Sequence, residues 1–252
     1  MAKRLAVVLG LVLFVSLSAV IAQQYPFWEV LLHYYGGKSD ETPVPSMKMG
    51  HMQMSLKDKL QPGDEQRAEE IVIAARRVLV RYADVNTALA DGYKPFAPTG
   101  RMGEEVHYTN RRYARREQQR NVDYDQPGSI LYKRTPQGMQ AVGVMYTAPQ
   151  DATAEQLNAI VPLSIATWHR HIDFCGGPRS LPRAEQFGPH AQFGPQGSIH
   201  TEDACQAAGG LWLPVVFGWM THVYPNAKPP DEVWAGMDMP MEANTDTDKP
   251  KM

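Results

Sequence analysis

Two cysteines, Cys175 and Cys205, are all the thiol chemistry this chain of 252 residues possesses. That excludes a four-cysteine zinc site, a CxxC redox centre and a disulfide-dense scaffold. Glycine-rich phosphate loops, GxSxG elbows and HExxH helices are missing as well, which removes the common nucleotide-binding, hydrolase and zincin signatures. Neither sign of charge is in excess: 25 Lys and Arg face 27 Asp and Glu, for a formal net charge of −2. No overall field therefore favours nucleic acid. The basic run Arg111–Arg120 is interrupted by Glu117 and by glutamines, and reads as a solvated helix face or loop. Repeats at solenoid periods are absent.

Long apolar runs are also scarce. The one that occurs, Leu5–Ala22, follows Lys3 and Arg4 and ends in small residues, with Val20 and Ala22 where a signal peptidase would read. It predicts an exported protein, periplasmic or extracellular. The segment is either cleaved after Ala22 or kept as an anchor, since as a helix it would rise about 27 Å against a hydrocarbon core of about 30 Å. Outside the cytoplasm, Cys175 and Cys205 are expected to be bridged, closing a loop of about 30 residues. The alternative is that Cys175, four residues beyond His171, is a metal ligand.

Four segments follow from these patterns: a signal peptide or anchor at 1–22, a Met- and Pro-rich linker at 23–61, a single metal-binding domain at 62–236, and a disordered tail at 237–252. In the domain, apolar positions from Ala68 to Leu89 recur at spacings of three and four, predicting one amphipathic helix over Asp64–Leu89. Then the pattern turns to strands. Ser129–Tyr132 and Met139–Thr147 flank the turn signal Thr135-Pro136-Gln137-Gly138, and Thr153 with Gln156 forms a capping box. A short helix over Thr201–Ala208 and one or two strands over Leu211–Tyr224 complete the reading. The expected class is α+β: an antiparallel curved sheet or small barrel covered by one long helix.

Chemistry is concentrated in Leu163–Phe174, LSIATWHRHIDF, which reads as a strand. Alternation with period two puts His169, His171 and Asp173 on one face and Trp168 and Arg170 on the other. Two imidazoles on one face are the geometry a single ion needs from an HxH pair. Further ligands are sought in similar apolar runs, at His222 in FGWMTHVYP and His107 in GEEVHYTN. Three histidines would leave a position open for water or substrate, and four would saturate a tetrahedral ion. Glu105, on the face of His107, and Asp173 are candidates for ligand, hydrogen-bond acceptor to a ligating ring, or general base. Met220 and Tyr224 share a face with His222. In the segment expected to be linker, Met47, Met49, His51, Met52 and Met54 supply soft thioether sulfur and an auxiliary site, favouring copper, with zinc and iron as alternatives. Met237, Met239 and Met241 form a thinner cluster. His33, His190 and His200 lack a patterned neighbour and read as surface; Trp168 and Trp219 read as core.

The motifs GVMY, PLSIATWHRHIDFC, FGPQGSIHTEDAC and FGWMTHVYP resemble a group of exported bacterial proteins, and the resemblance implies one domain after the leader without implying an activity. The HxH strand also resembles the first metal-ligand motif of cupins, which implies metal binding on a strand; the glycine-rich lead-in and the later Glu of cupins are not present. Three functions follow in order: an exported metal-binding protein, most simply copper, engaged in metal handling; a copper or iron oxidoreductase or zinc hydrolase acting on a small molecule; and a metal-free structural or ligand-binding module. The expected partners are a metal ion and at most a small molecule, with membrane contact only through residues 5–22.

Overall fold

The computed structural model describes residues 43–96, 103–178, 180–181, 191–194, 197–228 and 230–234. The expected leader, His33, His190 and the Met237–Met241 cluster lie outside them. Among the described residues, nine strands form one antiparallel, open sheet: β1 (Ser46–Met49), β2 (Met52–Ser55), β3 (Lys94–Pro95), β4 (Glu105–Thr109), β5 (Ser129–Thr135), β6 (Gly138–Ala148), β7 (His169–Gly176), β8 (Leu211–Val215) and β9 (Trp219–Val223). Their order is β1-β2-β7-β9-β6-β5-β4-β3, with β8 paired to β7 off this path. Among the described residues, five α-helices, α1 (Asp64–Arg81), α2 (Val85–Ala90), α3 (Arg111–Gln118), α4 (Ala154–Ile160) and α5 (Glu202–Ala207), and the 3-10 turn Pro230–Trp234 complete an α+β fold. Among the described residues no helix is long and apolar enough to cross a membrane.

The periodic segment after Asp64 folds as two helices rather than one. Tyr82 ends α1, and Asp84 caps α2 by accepting from the Asn86 backbone amide. A short polar side chain that satisfies an orphan amide competes with helix continuation, which is why the apolar period alone overran this boundary. Ile71, Val72, Ala75, Val78 and Leu79 of α1 pack with Tyr132, Val144, Tyr146, Trp168 and Trp219 in the main core. That core covers one face of the sheet. The hairpin β5–β6, its turn and the capping box of α4 are found at the positions the sequence gives them.

Two further expectations need correction. The strand expected from Leu163 begins only at His169, because the Pro162 carbonyl accepts from the amides of Ile165 and Ala166 and holds Leu163–Ile165 in turn conformation. The stretch 43–61 is not a linker throughout: β1 and β2 form a hairpin turning at Gly50, whose φ of +56° suits glycine, and β2 pairs with β7. Cys175 and Cys205 are disulfide-bonded, so Cys175 is not free to ligate.

Candidate metal centre

Pairing in the sheet decides which side chains meet, because residues opposite each other on antiparallel strands project from the same face. His169 lies opposite Met54 on one side and Met220 on the other, and His171 lies opposite Met52. His222 lies opposite Met145, and His107 opposite Leu131, itself opposite Gly143. The side away from the main core thus carries His107, His169, His171, His222 and four methionines. Alternation is confirmed on the other side, where Arg170 donates to Gln53 Oε1 at 2.7 Å and lies 5.0 Å from the Trp219 ring centre.

Curvature brings distant strands together. From β9 to β4 is three strand steps, about 14 Å along a flat sheet, yet His107 Nε2 and His222 Nε2 are 3.4 Å apart. Tyr224 spans the same strands to donate to Glu105 Oε1 at 3.1 Å. The histidine face is therefore concave. Gly143 lies beneath this crossing: a methyl group there would meet the Val223 carbonyl oxygen at 2.8 Å, Tyr224 Cδ1 at 2.9 Å and Leu131 Cδ1 at 3.1 Å.

The remaining rings follow as neighbours. Centroid separations are 5.4 Å for His107–His222, 5.1 Å for His169–His222 and 5.9 Å for His169–His171. His169 and His222 are buried, whereas His107 and His171 are half-buried and form the open side. Past His171, β7 changes partner from β9 to β8, and the chain between those two strands places Phe217 5.8 Å from His171. Phe174 at 5.5 Å from His171, and Phe96 against Phe217, extend this apolar wall.

Burial sets the protonation of the cluster. It pushes His107 and His171 down to about 4 and His169 to about 3, with repulsion from neighbouring imidazoles as the second cause for His169 and His171. His222 is also held well below the ordinary value, by burial and then by His169 and the other two rings. All four are neutral at pH 7, the form that ligates metal. His169 Nε2 and His222 Nδ1 are buried without a hydrogen-bond partner. As the rings stand, no three His, Cys, Asp or Glu side chains among the described residues are gathered closely enough to hold an ion.

The other candidates lie at the margin of the four rings or beyond it. Asp173 has a left-handed backbone, φ +58°, which interrupts the alternation on which its expected place beside His171 depended. Glu105 is half-buried and accepts from Tyr224. His51 turns away from the methionines: its Nε2 lies 2.7 Å from the Gly197 carbonyl oxygen and its ring stacks on His200 at 4.2 Å. Met47 and Met49 are exposed on β1, opposite Met54 and Met52.

Glu117 escaped sequence reasoning altogether. Set in the basic run now seen as α3, it is buried and accepts from Gly128 N at 2.6 Å, Thr147 N at 3.0 Å and Thr147 Oγ1 at 2.7 Å. Burial raises it to about 8 against those hydrogen bonds. It ties α3 to β6 outside the histidine cluster. Met145 and Gly143 were also missed, although period-two counting from His222 through a paired hairpin would point to them.

No known protein family, curated protein or solved structure matches this chain.

Proposed function

We propose that this is an exported metal-binding protein whose ion, copper in the first instance, is held by His107, His169, His171 and His222. The observation that carries this reading is four neutral imidazoles turned together on a concave sheet face, with His107 and His222 nitrogens 3.4 Å apart. Two nitrogens bound to one tetrahedral ion at about 2.0–2.1 Å would be separated by about 3.3 Å, so that pair already has ligand spacing. His169 Nε2, buried and unpartnered, supplies a third donor after a rotation of its ring. Histidines that serve only as core residues would be expected to have satisfied nitrogens.

Donor chemistry argues for copper over magnesium or calcium. Imidazole suits copper, zinc and iron, and the methionines opposite His169, His171 and His222 add soft sulfur, which suits Cu(I). The surroundings support metal handling more than catalysis. Glu105, at the His107–His222 crossing, already accepts from the Tyr224 hydroxyl, and the left-handed backbone at Asp173 takes it out of the alternation that would set it beside His171. Export is supported by the Leu5–Ala22 run and by the Cys175–Cys205 disulfide, a bond that persists in oxidising compartments.

Titration of the metal-free protein with copper and with zinc, followed by electron paramagnetic resonance of the copper form, tests the reading. One ion per chain with nitrogen hyperfine structure is expected. A protein that binds neither ion is a structural or ligand-binding module instead.

A further inference from the structure

The hairpin β1–β2 connects solvent to the histidine cluster through sulfur. Its register pairs Met47 with Met54 and Met49 with Met52, and β2 then pairs Met54 with His169 and Met52 with His171. Directly opposed side chains share a face, with Cβ atoms about 4.5–5.5 Å apart. Two parallel lanes result, Met47–Met54–His169 and Met49–Met52–His171. Exposure falls from β1 to β2 in both: Met47 is 53% and Met49 48% exposed, whereas Met54 is half-buried and Met52 buried at 5%; beyond them His169 is buried at 1% and His171 is half-buried.

Large apolar side chains at the solvent edge of a sheet expose an edge to unwanted pairing, and natural edges usually carry charge there instead. Here the edge strand alternates. Ser46 and Lys48 occupy one face, and the face continuous with the histidines carries Met47 and Met49 alone. His51 does not belong to the lanes, since it turns to Gly197 and His200. Leucine conserves the volume of methionine, so what the four share beyond apolar volume is a soft donor.

We infer that the methionine hairpin is an acquisition ladder for Cu(I), in which Met47 and Met49 capture the ion at the surface and pass it through Met54 and Met52 to His169 and His171. The inference rests on the histidine reading above and adds the oxidation state and the route. Transfer is ligand exchange: each new sulfur or nitrogen bond to copper forms as an outer sulfur bond breaks, and no electron moves. Thioether donors hold Cu(I) without deprotonation, so capture at the surface releases no proton. A borderline ion such as Zn(II), which has little affinity for thioether, would reach the histidines without using the ladder.

The test compares the full-length protein with its Met47→Leu/Met49→Leu variant, Cu(I) being presented anaerobically on a chromogenic chelator and uptake followed by loss of the chelator's colour. Leucine keeps volume at exposed positions, and thermal unfolding verifies that the variant is folded. The expected result is uptake slowed by about tenfold, with final stoichiometry unchanged and with Zn(II) uptake from an indicator dye unaffected. Equal Cu(I) rates in the two proteins would overturn the ladder while leaving the histidine site standing. Equal slowing of Cu(I) and Zn(II) would also overturn it, as a general effect on access. Failure of the unaltered protein to take up either ion would remove the histidine reading and the ladder with it.

Discussion

Burial of the four histidines has a consequence for metal affinity that can be worked out from their protonation. Protons compete with a metal for imidazole nitrogen. An ordinary imidazole, of pKa about 6.5, is about 97% protonated at pH 5, so a site of three such ligands loses about four orders of magnitude in affinity between pH 7 and pH 5. In this protein His107 and His171 are held down to about 4 and His169 to about 3, because burial penalises the imidazolium. Such ligands are still about nine-tenths neutral at pH 5, and three of them lose less than about twofold over the same interval. Competition titration with a copper chelator of known proton affinity, at pH 7 and pH 5, reads the difference directly. A loss of several thousandfold would refute the argument, showing that the ligands are ordinary surface histidines. The same groups set the acid behaviour of the metal-free protein. Their folded pKa values lie below the unfolded value, so the unfolded chain binds more protons, and stability is complete above about 6.5 and is lost as pH falls toward 4.

Replacing Glu117 by Ala strands the amides of Gly128 and Thr147, and should lower stability by on the order of 3 kcal/mol in denaturant unfolding; a loss under about 1 kcal/mol would mean that water enters and replaces the carboxylate. Replacing Cys175 and Cys205 together by Ala frees a loop of sequence separation 30, and should cost about 3.5 kcal/mol on the chain-entropy model. Free thiols in protein recovered under oxidising conditions would contradict the bridge. Gly143→Val drives a side chain against Tyr224 and the Val223 carbonyl, and should weaken copper binding at least tenfold while zinc and copper are affected alike; unchanged affinity would show that the β9-to-β4 crossing is not needed for the site.

How much of this could be read from residues alone depends on whether the signal was local. The HxH alternation, the β5–β6 turn, the capping box at Thr153 and the cysteine pair each lie within a few residues or rest on compartment chemistry, and each is recovered in the structure. The methionine hairpin was hidden because Gly50 and His51 at its turn break the alternation of Met47 and Met49 from that of Met52 and Met54. Read as two short runs about a Gly turn, the pattern was available. Asp173 misled because one left-handed residue cancels a face assignment, and nothing in IDFC announces it. His107 and His222 stood out as candidate ligands by their apolar runs, but the closeness of their approach was not legible, since it depends on curvature summed over three strand steps. Glu117 was invisible for a related reason: a carboxylate in a basic, polar run is ordinarily solvated, and only the packing of α3 on β6 buries it.

The central claim is that the ion is held by histidines of the concave face. X-ray absorption at the copper edge, on protein loaded with one equivalent and freed of excess, tests it most directly because imidazole rings give a distinctive outer-shell scattering pattern. Three or four imidazole nitrogens near 2.0 Å are predicted in the unaltered protein, falling by two in a His169→Gln/His222→Gln variant shown to be folded. Scattering from oxygen or sulfur alone, or the same imidazole count in that variant, would place the ion elsewhere and contradict the account.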